Sequence, residues 1–278
     1  HRVAVTANLR VALAADRAIR RRAALEATPL AHGLLVRHPG LDDVHYLNAV
    51  LLDAEPDGLD GGGAAALAEQ WLGGLGHRHV VFDDADAGER AAAQLSADGW
   101  VPARTVYMAF AGDPAAIGGD PRARLVSELE MQALQLAALR EEAPEVDTRT
   151  GLVERLVATQ GRLRETTPCP CFGAGEPGEE LASMCALFLD DDVSGRRVAT
   201  VEEVGTLVAH RRRGLAGAVV AAAVSHAGRW GADVIVVPAD ADDWPQLMYA
   251  GLGFAAIGRQ VSLTRRIRAA TGSVSGGV

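Results

Sequence analysis

Short apolar runs alternate with longer segments of helical periodicity along most of the chain. Strands are predicted where β-branched and other apolar residues cluster, and helices where apolar residues recur every three or four positions. The predicted helices cover 9–27, 64–74, 88–98, 131–142, 148–164, 212–229 and 243–252. The predicted strands cover 33–37, 44–53, 79–82, 105–110, 124–129, 168–174, 181–189, 198–208, 233–237 and 255–263. This order predicts an α/β (α+β) fold, with a mixed, mostly antiparallel sheet flanked by helices.

Two stretches of the chain repeat the same order of features. Residues 75–84 and 230–240 each contain the exit of a helix, a short apolar strand and an acidic turn. Each then leads through a helix to an aromatic residue that follows a glycine, Trp100 in one case and Phe254 in the other. The agreement indicates a duplicated strand–helix–strand unit, although any alternating α/β chain offers some echoes of this kind.

The chain length also favours two domains. A chain of 278 residues with 49% apolar side chains is long enough to form two domains, each with its own hydrophobic core. We therefore predict an N-terminal and a C-terminal domain, a linker rich in Gly, Pro and Asp, and a disordered Gly/Ser/Val-rich tail. The N-terminal domain is expected at 1–112, the linker at 113–121, the C-terminal domain at 122–268 and the tail at 269–278.

Charge and cysteine content narrow the classes of function. The formal net charge of −9 argues against a nucleic-acid-binding protein, which usually carries a basic face. No run approaches the roughly 20 apolar residues of a membrane-spanning helix, so no membrane association is expected. The odd set of Cys169, Cys171 and Cys185 argues against a disulfide framework and suits the reducing cytoplasm. No second pair of zinc ligands accompanies these cysteines, so we expect no metal site.

The segment with the clearest chemistry is a strand that feeds a helix through a turn of small residues. The strand at 198–208 is followed by Arg211–Arg213, Gly214, Ala216 and Gly217. The first N–H groups of a helix have no intrahelical partner and carry partial positive charge, so anions bind there. Small residues let a pyrophosphate approach the backbone, and arginines add charge at the rim. A P-loop would need a lysine at this point. A dinucleotide-binding fingerprint would need the spacing Gly-x-Gly-x-x-Gly, early in the chain.

The pattern Arg-x-x-Gly-x-Ala, met as Arg211, Gly214 and Ala216, resembles the acetyl-CoA loop of the GNAT superfamily of N-acetyltransferases. Downstream, Leu-Met-Tyr-Ala-Gly-Leu-Gly-Phe at 247–254 looks like the family's Leu-Tyr-x-x-x-Gly-Phe ending with one residue changed. The resemblance covers roughly 122–266. It implies acetyl-CoA as cosubstrate and an amine as acceptor.

The N-terminal half resembles a degenerate copy of the same fold, so the resemblance implies two tandem GNAT-like domains. Gly61–Gly63 precede its helix at 64–74 without an arginine, and Leu95 stands at the position of Tyr249. We infer that this copy does not bind acyl-CoA. The tandem arrangement resembles that of mycothiol synthase and related actinobacterial acetyltransferases.

The resemblance also implies residue roles. Tyr249 matches the family's general acid, which protonates the leaving thiolate. Glu202 stands where family members often place an acidic base, and Glu203 is the reserve. Strand alternation is expected to send the two glutamates to opposite faces, with Glu202 on the face of Val204 and Thr206. The alternatives are a packing role for Tyr249 and a solvated charge or a salt bridge for either glutamate.

The cofactor is expected to contact mainly backbone groups. In the family the strand end pairs with the pantetheine arm, a role that falls here on Thr206, Leu207 and Val208. The resemblance implies that the pyrophosphate binds to the backbone N–H groups of Arg211, Arg212, Arg213, Gly214, Leu215, Ala216 and Gly217. Asp242 stands where many members carry a cofactor-contacting Asn; it is expected either to face away or to cap the helix that follows.

Three functions stay open at this point. The first is an N-acetyltransferase that acts by direct attack of an amine of a small molecule or peptide. The second is a non-catalytic acyl-CoA-binding or sensory protein, and the third a structural or dimerisation module. The sequence identifies no acceptor and leaves a homodimer open.

Overall fold

A computed structural model describes residues 2–53, 59–142 and 151–267. The helices are α1 (Arg2–Ala23), α2 (Gly61–Leu72), α3 (Ala85–Leu95), α4 (Glu128–Glu142), α5 (Leu152–Thr166), α6 (Leu215–Trp230) and α7 (Pro245–Gly251). The strands are β1 (Glu26–Leu30), β2 (Gly33–Arg37), β3 (Ala49–Leu52), β4 (His77–Phe82), β5 (Val101–Phe110), β6 (Ala123–Val126), β7 (Cys171–Ala174), β8 (Ser183–Val193), β9 (Arg196–Thr206), β10 (Val234–Asp240) and β11 (Phe254–Arg266).

The chain divides into two compact units, and neither is continuous in sequence. Unit 1 takes in His1–Ala23 and Arg104–Arg259, and unit 2 takes in Ala24–Ala103 and Gln260–Val278. This division differs from the expected 1–112 and 122–268. Helix α1 is grouped with the C-terminal half because it packs on β9, and the end of β11 is grouped with the N-terminal half because it pairs with β4.

Unit 1 contains a mixed, mostly antiparallel sheet, as predicted. Its strand order is β11–β5–β10–β9–β8–β7–β6. β10 pairs antiparallel with β5, and the pairs β9–β8, β8–β7 and β7–β6 are also antiparallel. Only β9 and β10 run parallel among these pairs. Helix α6 buries its apolar face on one side, against residues such as Val201 and Ile235. Helix α1 packs against Val198 and Val236 through a separate apolar cluster.

Unit 2 is built on the strand order β1–β2–β3–β4–β11. Strands β3 and β4 are parallel, and the other neighbouring pairs are antiparallel. Helices α2 and α3 cover its core, in which Leu72, Phe82 and Leu263 are buried. The alternation of helix and strand in this half therefore matches the predicted α/β pattern.

Several element boundaries differ from the prediction for local reasons. The first helix ends at Ala23 rather than at 27, because residues 26–30 form β1 and pair with β2. The strand expected at 44–53 is shortened to β3, because residues 45–47 form a 3₁₀ turn. Asn48 holds that turn: its side-chain amide donates to the carbonyls of Leu41 and Val44 at 2.8 and 3.0 Å.

The expected linker at 113–121 lies within unit 1 and contains hydrogen-bonded turns at Asp113 and Asp120. The tail expected at 269–278 lies outside the described residues. Within the described part of the chain, no helix combines the length and apolar character needed to cross a membrane.

Candidate active site

The parallel pair β9 and β10 separates after a short stretch of pairing. The two strands are paired only at Val198–Val234, Ala199–Ile235 and Thr200–Val236 among the described residues. Beyond this point β10 pairs with β5 on its other side, and β9 continues to Thr206 in pairing with β8. The edge of β9 that faces β10 is therefore left without a strand partner. Such an edge can accept an extended ligand through its backbone groups.

A β-bulge interrupts β9 beside this opening. The register joins Glu202 to Ala186 and Gly205 to Met184, so β9 advances by three residues where β8 advances by two. Glu203 absorbs the extra residue with a φ of 55°, which is unusual for a residue with a side chain. The expected strict alternation across Glu202 and Glu203 is therefore wrong. The face that Glu202 was expected to share with Thr206 is likewise lost, because the bulge lies between them.

Glu203 is held in a buried ion-pair network under α5. Arg164 donates to Glu203 at 2.5 Å and to the two carboxylate oxygens of Glu128 at 2.7 and 2.9 Å. The same guanidinium donates to the Gln135 side chain at 2.9 Å. Burial raises the pKa of Glu203, and Arg164 opposes that rise. The salt bridge that the sequence left as an alternative is thus present at Glu203.

Glu202 has a different environment. Asp16 and Arg20 of α1 lie close enough to act on its charge. Burial, followed by the like charges of Asp16 and Glu203, raises the pKa of Glu202 to about 8, although Arg20 acts in the opposite direction. No hydrogen-bond partner of its carboxyl group lies among the described residues. A carboxyl whose pKa is near the working pH is suited to general-base catalysis.

Tyr249 lies on α7, with only 5% of its surface exposed. Its ring packs edge-on against Phe254 at 6.0 Å, and Phe254 packs in the same way against Phe110 at 5.4 Å. Gly253, with a φ of 99°, turns the chain from α7 into β11 and so brings Phe254 under the tyrosine. Burial, then the charge of Glu202 and the thiol of Cys185, raise the pKa of the phenol. The phenol of Tyr249 therefore stays protonated near neutral pH and can donate its proton as a general acid.

The glycine-containing loop leads into α6 without a side-chain cap. Gly214 is the N-cap residue, with a φ of 81° and no side-chain hydrogen bond, and α6 begins at Leu215. The N–H groups of Leu215, Ala216 and Gly217 thus point out of the helix N-terminus with no intrahelical partner. This helix start lies in the segment for which the sequence predicted an anion site, and the helix begins three residues later than expected.

Arg122 supports the backbone of this loop, and sequence reasoning did not find it. Its guanidinium donates to the carbonyl of Arg213 at 3.0 Å and is itself held by Asp120 and Glu176, at 2.8 and 3.1 Å. A side chain added at Gly214 would begin 3.5 Å from Arg122. Since Arg122 and Arg213 are separated by 91 positions, no local pattern links them.

Two carboxylates from the end of α4 reach the same region. Glu141 accepts a hydrogen bond from the backbone N–H of Val208 at 2.8 Å, and Glu142 accepts one from Arg211 at 3.1 Å. The N–H of Leu207 is directed elsewhere, to the carbonyl of Ala182 at 2.9 Å. Groups that the sequence assigned to the cofactor are thus engaged by acids of the chain itself.

Four further residues of the predicted site have defined surroundings. The Thr206 hydroxyl bonds to the Ser183 hydroxyl at 2.9 Å, while its carbonyl accepts from Arg211 at 3.0 Å. Arg213 lies 3.8 Å from Glu179, and Arg212 is exposed with a φ of 64°. Asp242 is exposed and lies 3.9 Å from Arg104. It does not cap α7, whose N-cap position is Trp244.

In unit 2, N–H groups at the start of helix α2 already have side-chain hydrogen-bond partners. The side chain of Asp60 accepts from the N–H of Gly63 at 2.9 Å, and Gln94 accepts from the N–H of Gly61 at 2.8 Å. The N-terminus of α2 therefore presents fewer free donors than that of α6.

A cavity of about 680 Å³ lies beside the end of β9 in unit 1. Apolar side chains, including Leu134, Leu181 and Leu207, form part of its lining, and Glu179 and Glu180 are among its charged residues. Tyr249 and the two bulge glutamates do not line it. No group of three or more His, Cys, Asp or Glu in the described ranges is arranged to hold a metal ion.

Comparison with known families now identifies the segment that carries this geometry. Residues 132–254 match the model of the acetyltransferase (GNAT) family. The matched segment lies in unit 1 and contains the bulge, the Gly214 loop and Tyr249. The family resemblance predicted from the two motifs is therefore confirmed for this part of the chain.

Solved structures share the fold over more of the chain. A conserved protein of unknown function from Staphylococcus epidermidis ATCC 12228 is 11% identical, with a TM-score of 0.65 over 86% of this chain and 93% of that one. A GCN5-related N-acetyltransferase from Kribbella flavida is 21% identical, with a TM-score of 0.56 over 92% and 95%. A GCN5-related N-acetyltransferase from Sphaerobacter thermophilus is 16% identical, with a TM-score of 0.51 over 75% and 68%. At such identities the similarity shows the fold alone. A comparison with curated proteins finds no match.

Proposed function

We propose that unit 1 is an acetyl-CoA-dependent N-acetyltransferase that acts by direct attack of an amine. The observation that carries this proposal is the separation of β9 from β10 directly before an uncapped helix N-terminus, within the segment that matches the GNAT family. The strand edge suits an extended pantetheine arm, and the free N–H groups of α6 suit a pyrophosphate. Acetyl-CoA is thus the cosubstrate that this site fits.

In the proposed reaction the acceptor nitrogen bonds to the acetyl carbon while the bond from that carbon to sulfur breaks. The ionised carboxylate of Glu202 takes the proton that the amine loses. Tyr249 gives its proton to the departing thiolate, and solvent restores both groups. Glu203 is assigned a structural role, because Arg164 already binds its carboxylate.

The rest of the proposal concerns the whole chain. Unit 2 is interpreted as a degenerate copy of the fold that binds no CoA, as in the tandem actinobacterial arrangement of mycothiol synthase. Its capped helix start at Asp60 supports this interpretation. The acceptor is an amine of a small molecule or peptide, and nucleic acid and membranes are not partners. Three free cysteines suit a cytoplasmic location, and a homodimer stays a hypothesis.

Calorimetric titration with acetyl-CoA tests the binding part of the proposal. We expect a micromolar-range interaction with one site per chain, much weakened by Gly214→Glu, which places a carboxylate at the phosphate site. Gly195→Glu is the matched control, because Gly195 has a similar φ of 76° and open space around it in the β8–β9 turn. Absence of heat with any acyl-CoA contradicts the proposal, and two sites per chain contradict the degenerate role of unit 2.

Thiol release in the presence of a panel of amines tests the chemistry. Tyr249→Phe and Glu202→Gln should each lower turnover at least tenfold while CoA affinity stays within about twofold. Tyr46→Phe, in unit 2, serves as the control and should leave turnover unchanged. If Tyr249→Phe also leaves turnover unchanged, the tyrosine has no part in the mechanism.

A non-catalytic acyl-CoA-binding or sensory protein is the second candidate. It is favoured by the raised pKa of Glu202, which leaves the carboxyl protonated in most molecules at neutral pH, and by the acids of α4 that engage the loop. The two candidates differ in one result. Tight CoA binding without thiol release at pH 9, where Glu202 is ionised, supports the second.

A further inference from the structure

Helix α1 lies outside the segment that matches the family, yet it belongs to unit 1. Its apolar residues Val11 and Ala15 pack with Val198 of β9. Arg22 binds Asp190 of β8 through two hydrogen bonds of 2.6 and 3.1 Å. Helix α1 is therefore fixed on the strand pair that carries the bulge.

This packing places a charged pair beside Glu202. The guanidinium Nε of Arg20 lies 2.8 Å from the carboxylate of Asp16, and the two side chains are only 17% and 12% exposed. Both residues act electrostatically on Glu202. Both side chains are thus largely covered in the structure.

Polar groups in this region lack partners. The Nη1 atom of Arg20 and the hydroxyl of Thr200 are buried without a hydrogen-bond partner in the described residues. Thr200 precedes Glu202 by two positions, so regular alternation up to the bulge puts both on the side of β9 that faces α1. Buried polar groups in folded proteins are normally hydrogen-bonded. Two unpaired groups on the side of β9 that faces α1 therefore indicate a place for a polar ligand atom or an ordered water.

We propose that Asp16 and Arg20 are positioning residues of the acyl-transfer site, which set the charge state of Glu202 from a helix outside the family-matched segment. Asp16 disfavours the ionised carboxylate, and Arg20 favours it and restrains Asp16. The pair thus determines the pH range in which Glu202 can accept a proton from the acceptor amine. This inference rests on the proposed function of unit 1.

The charged and titratable groups that act on this pair and on Glu202 come from several elements. Helix α1 supplies Asp16 and Arg20, and β9 supplies Glu203, which Arg164 of α5 holds. Tyr107 of β5 contributes to the raised pKa of Arg20, and the charge of Glu202 contributes to the raised pKa of Tyr249 on α7. Burial raises the pKa of Tyr249, so its phenol is protonated near neutral pH. The charges of Asp16 and Arg20 are therefore the ones whose removal should move the titration of Glu202 in opposite directions.

Titration of the carboxyl groups by ¹³C NMR on the full chain tests this directly, with the Glu202 signal assigned by its loss in Glu202→Gln. The wild-type midpoint is expected at about 8. Asp16→Asn should lower it and Arg20→Gln should raise it, each by about one pH unit. Arg20→Lys, which keeps the charge, should restore the midpoint toward the wild-type value.

The control is Arg21→Gln, which removes an exposed arginine of α1 that is not among the groups acting on Glu202, and it should not move the midpoint. If Asp16→Asn and Arg20→Gln shift the midpoint in the same direction, or not at all, the inference is overturned. The double variant Asp16→Asn/Arg20→Gln, with neither charge, should titrate close to the wild type. A purely structural role for the pair predicts none of these opposite shifts.

The pH dependence of kcat/KM for thiol release supplies the second measurement. The rising limb should follow the NMR midpoint in each variant. If the midpoints move as expected but no variant or wild type releases thiol, the proposed function fails and the electrostatic role stands. If thiol is released but the limb stays fixed in Asp16→Asn and Arg20→Gln, the inference fails and the proposed function stands.

Discussion

The guanidinium of Arg164 lies between two carboxylates in the interior of unit 1, so its removal makes a sharp test of how the bulge is held. Arg164→Met keeps much of the side-chain volume and deletes all five donors. Glu203 then keeps a carboxyl group whose own side chain is only 13% exposed, beside Glu128 at 27%. Neither acid retains the arginine that now neutralises it.

The cost follows from that burial. Loss of one partner of a buried ion pair typically destabilises a protein by about 3–5 kcal/mol, because the other charge stays buried without compensation. Glu128 can regain water through its exposed part, so most of the cost is assigned to Glu203. Without Arg164 the pKa of Glu203 should rise further, and the carboxyl should take up a proton in the folded state.

Urea unfolding followed by circular dichroism at pH 7 measures the effect, and thermal midpoints should fall by roughly 6–15 °C. Arg164→Met/Glu203→Gln should recover at least about 1 kcal/mol relative to the sum of the single variants, since the two side chains are in direct contact. Arg162→Met, on the same helix but exposed, is the control and should change stability by less than about 0.5 kcal/mol. A cost below about 1 kcal/mol for Arg164→Met, or strict additivity of the pair, refutes the reasoning.

Two further results are expected. Glu141→Ala should tighten the binding of CoA about fivefold or more, measured by calorimetry. The substitution frees the N–H of Val208 from a charged acceptor, and such a hydrogen bond contributes about 1.5–3 kcal/mol. Unchanged or weaker binding contradicts this expectation. The pKa of Glu202 is raised from 4.5 to about 8 in the folded state, which therefore binds more protons than the unfolded state between these values. Wild-type stability should accordingly fall as pH rises from about 5 to 8, by up to about 1.4 kcal/mol per pH unit, and Glu202→Gln should remove that slope in urea unfolding. The solvent that still reaches Glu202 reduces the size of the effect. The same slope in both proteins would show that Glu202 titrates normally.

The order of helices and strands was predictable from the sequence because it depends on local periodicity. The buried run of β10 and the small-residue start of α6 have local signatures, and the structure has both. Element ends were less predictable, since they depend on partners. Residues 26 and 27 were expected to end the first helix but form the start of β1, because β2 offers a hydrogen-bonding edge.

The candidate site was predictable where a motif is contiguous and not where it depends on register or distant contacts. The Gly214 loop and Tyr249 stand in recognisable short motifs, although their roles stay predictions. The bulge at Glu203 follows from a mismatch of β9 with β8, which no pattern within β9 reveals. Arg122 and Asp16 are equally invisible, because each acts on a part of the site far away in sequence.

The grouping of α1 with unit 1 has a consequence for how the protein is made. Arg22 is synthesised 168 residues before Asp190, its partner on β8. At about 5–20 residues per second, the ribosome needs roughly 10–30 s to cover that distance. Unit 2 also waits, since its strand β11 is translated after nearly all of unit 1. An emerging chain therefore carries the apolar face of α1 uncovered until the strands of unit 1 have been translated, and we expect neither unit to complete its folding before then.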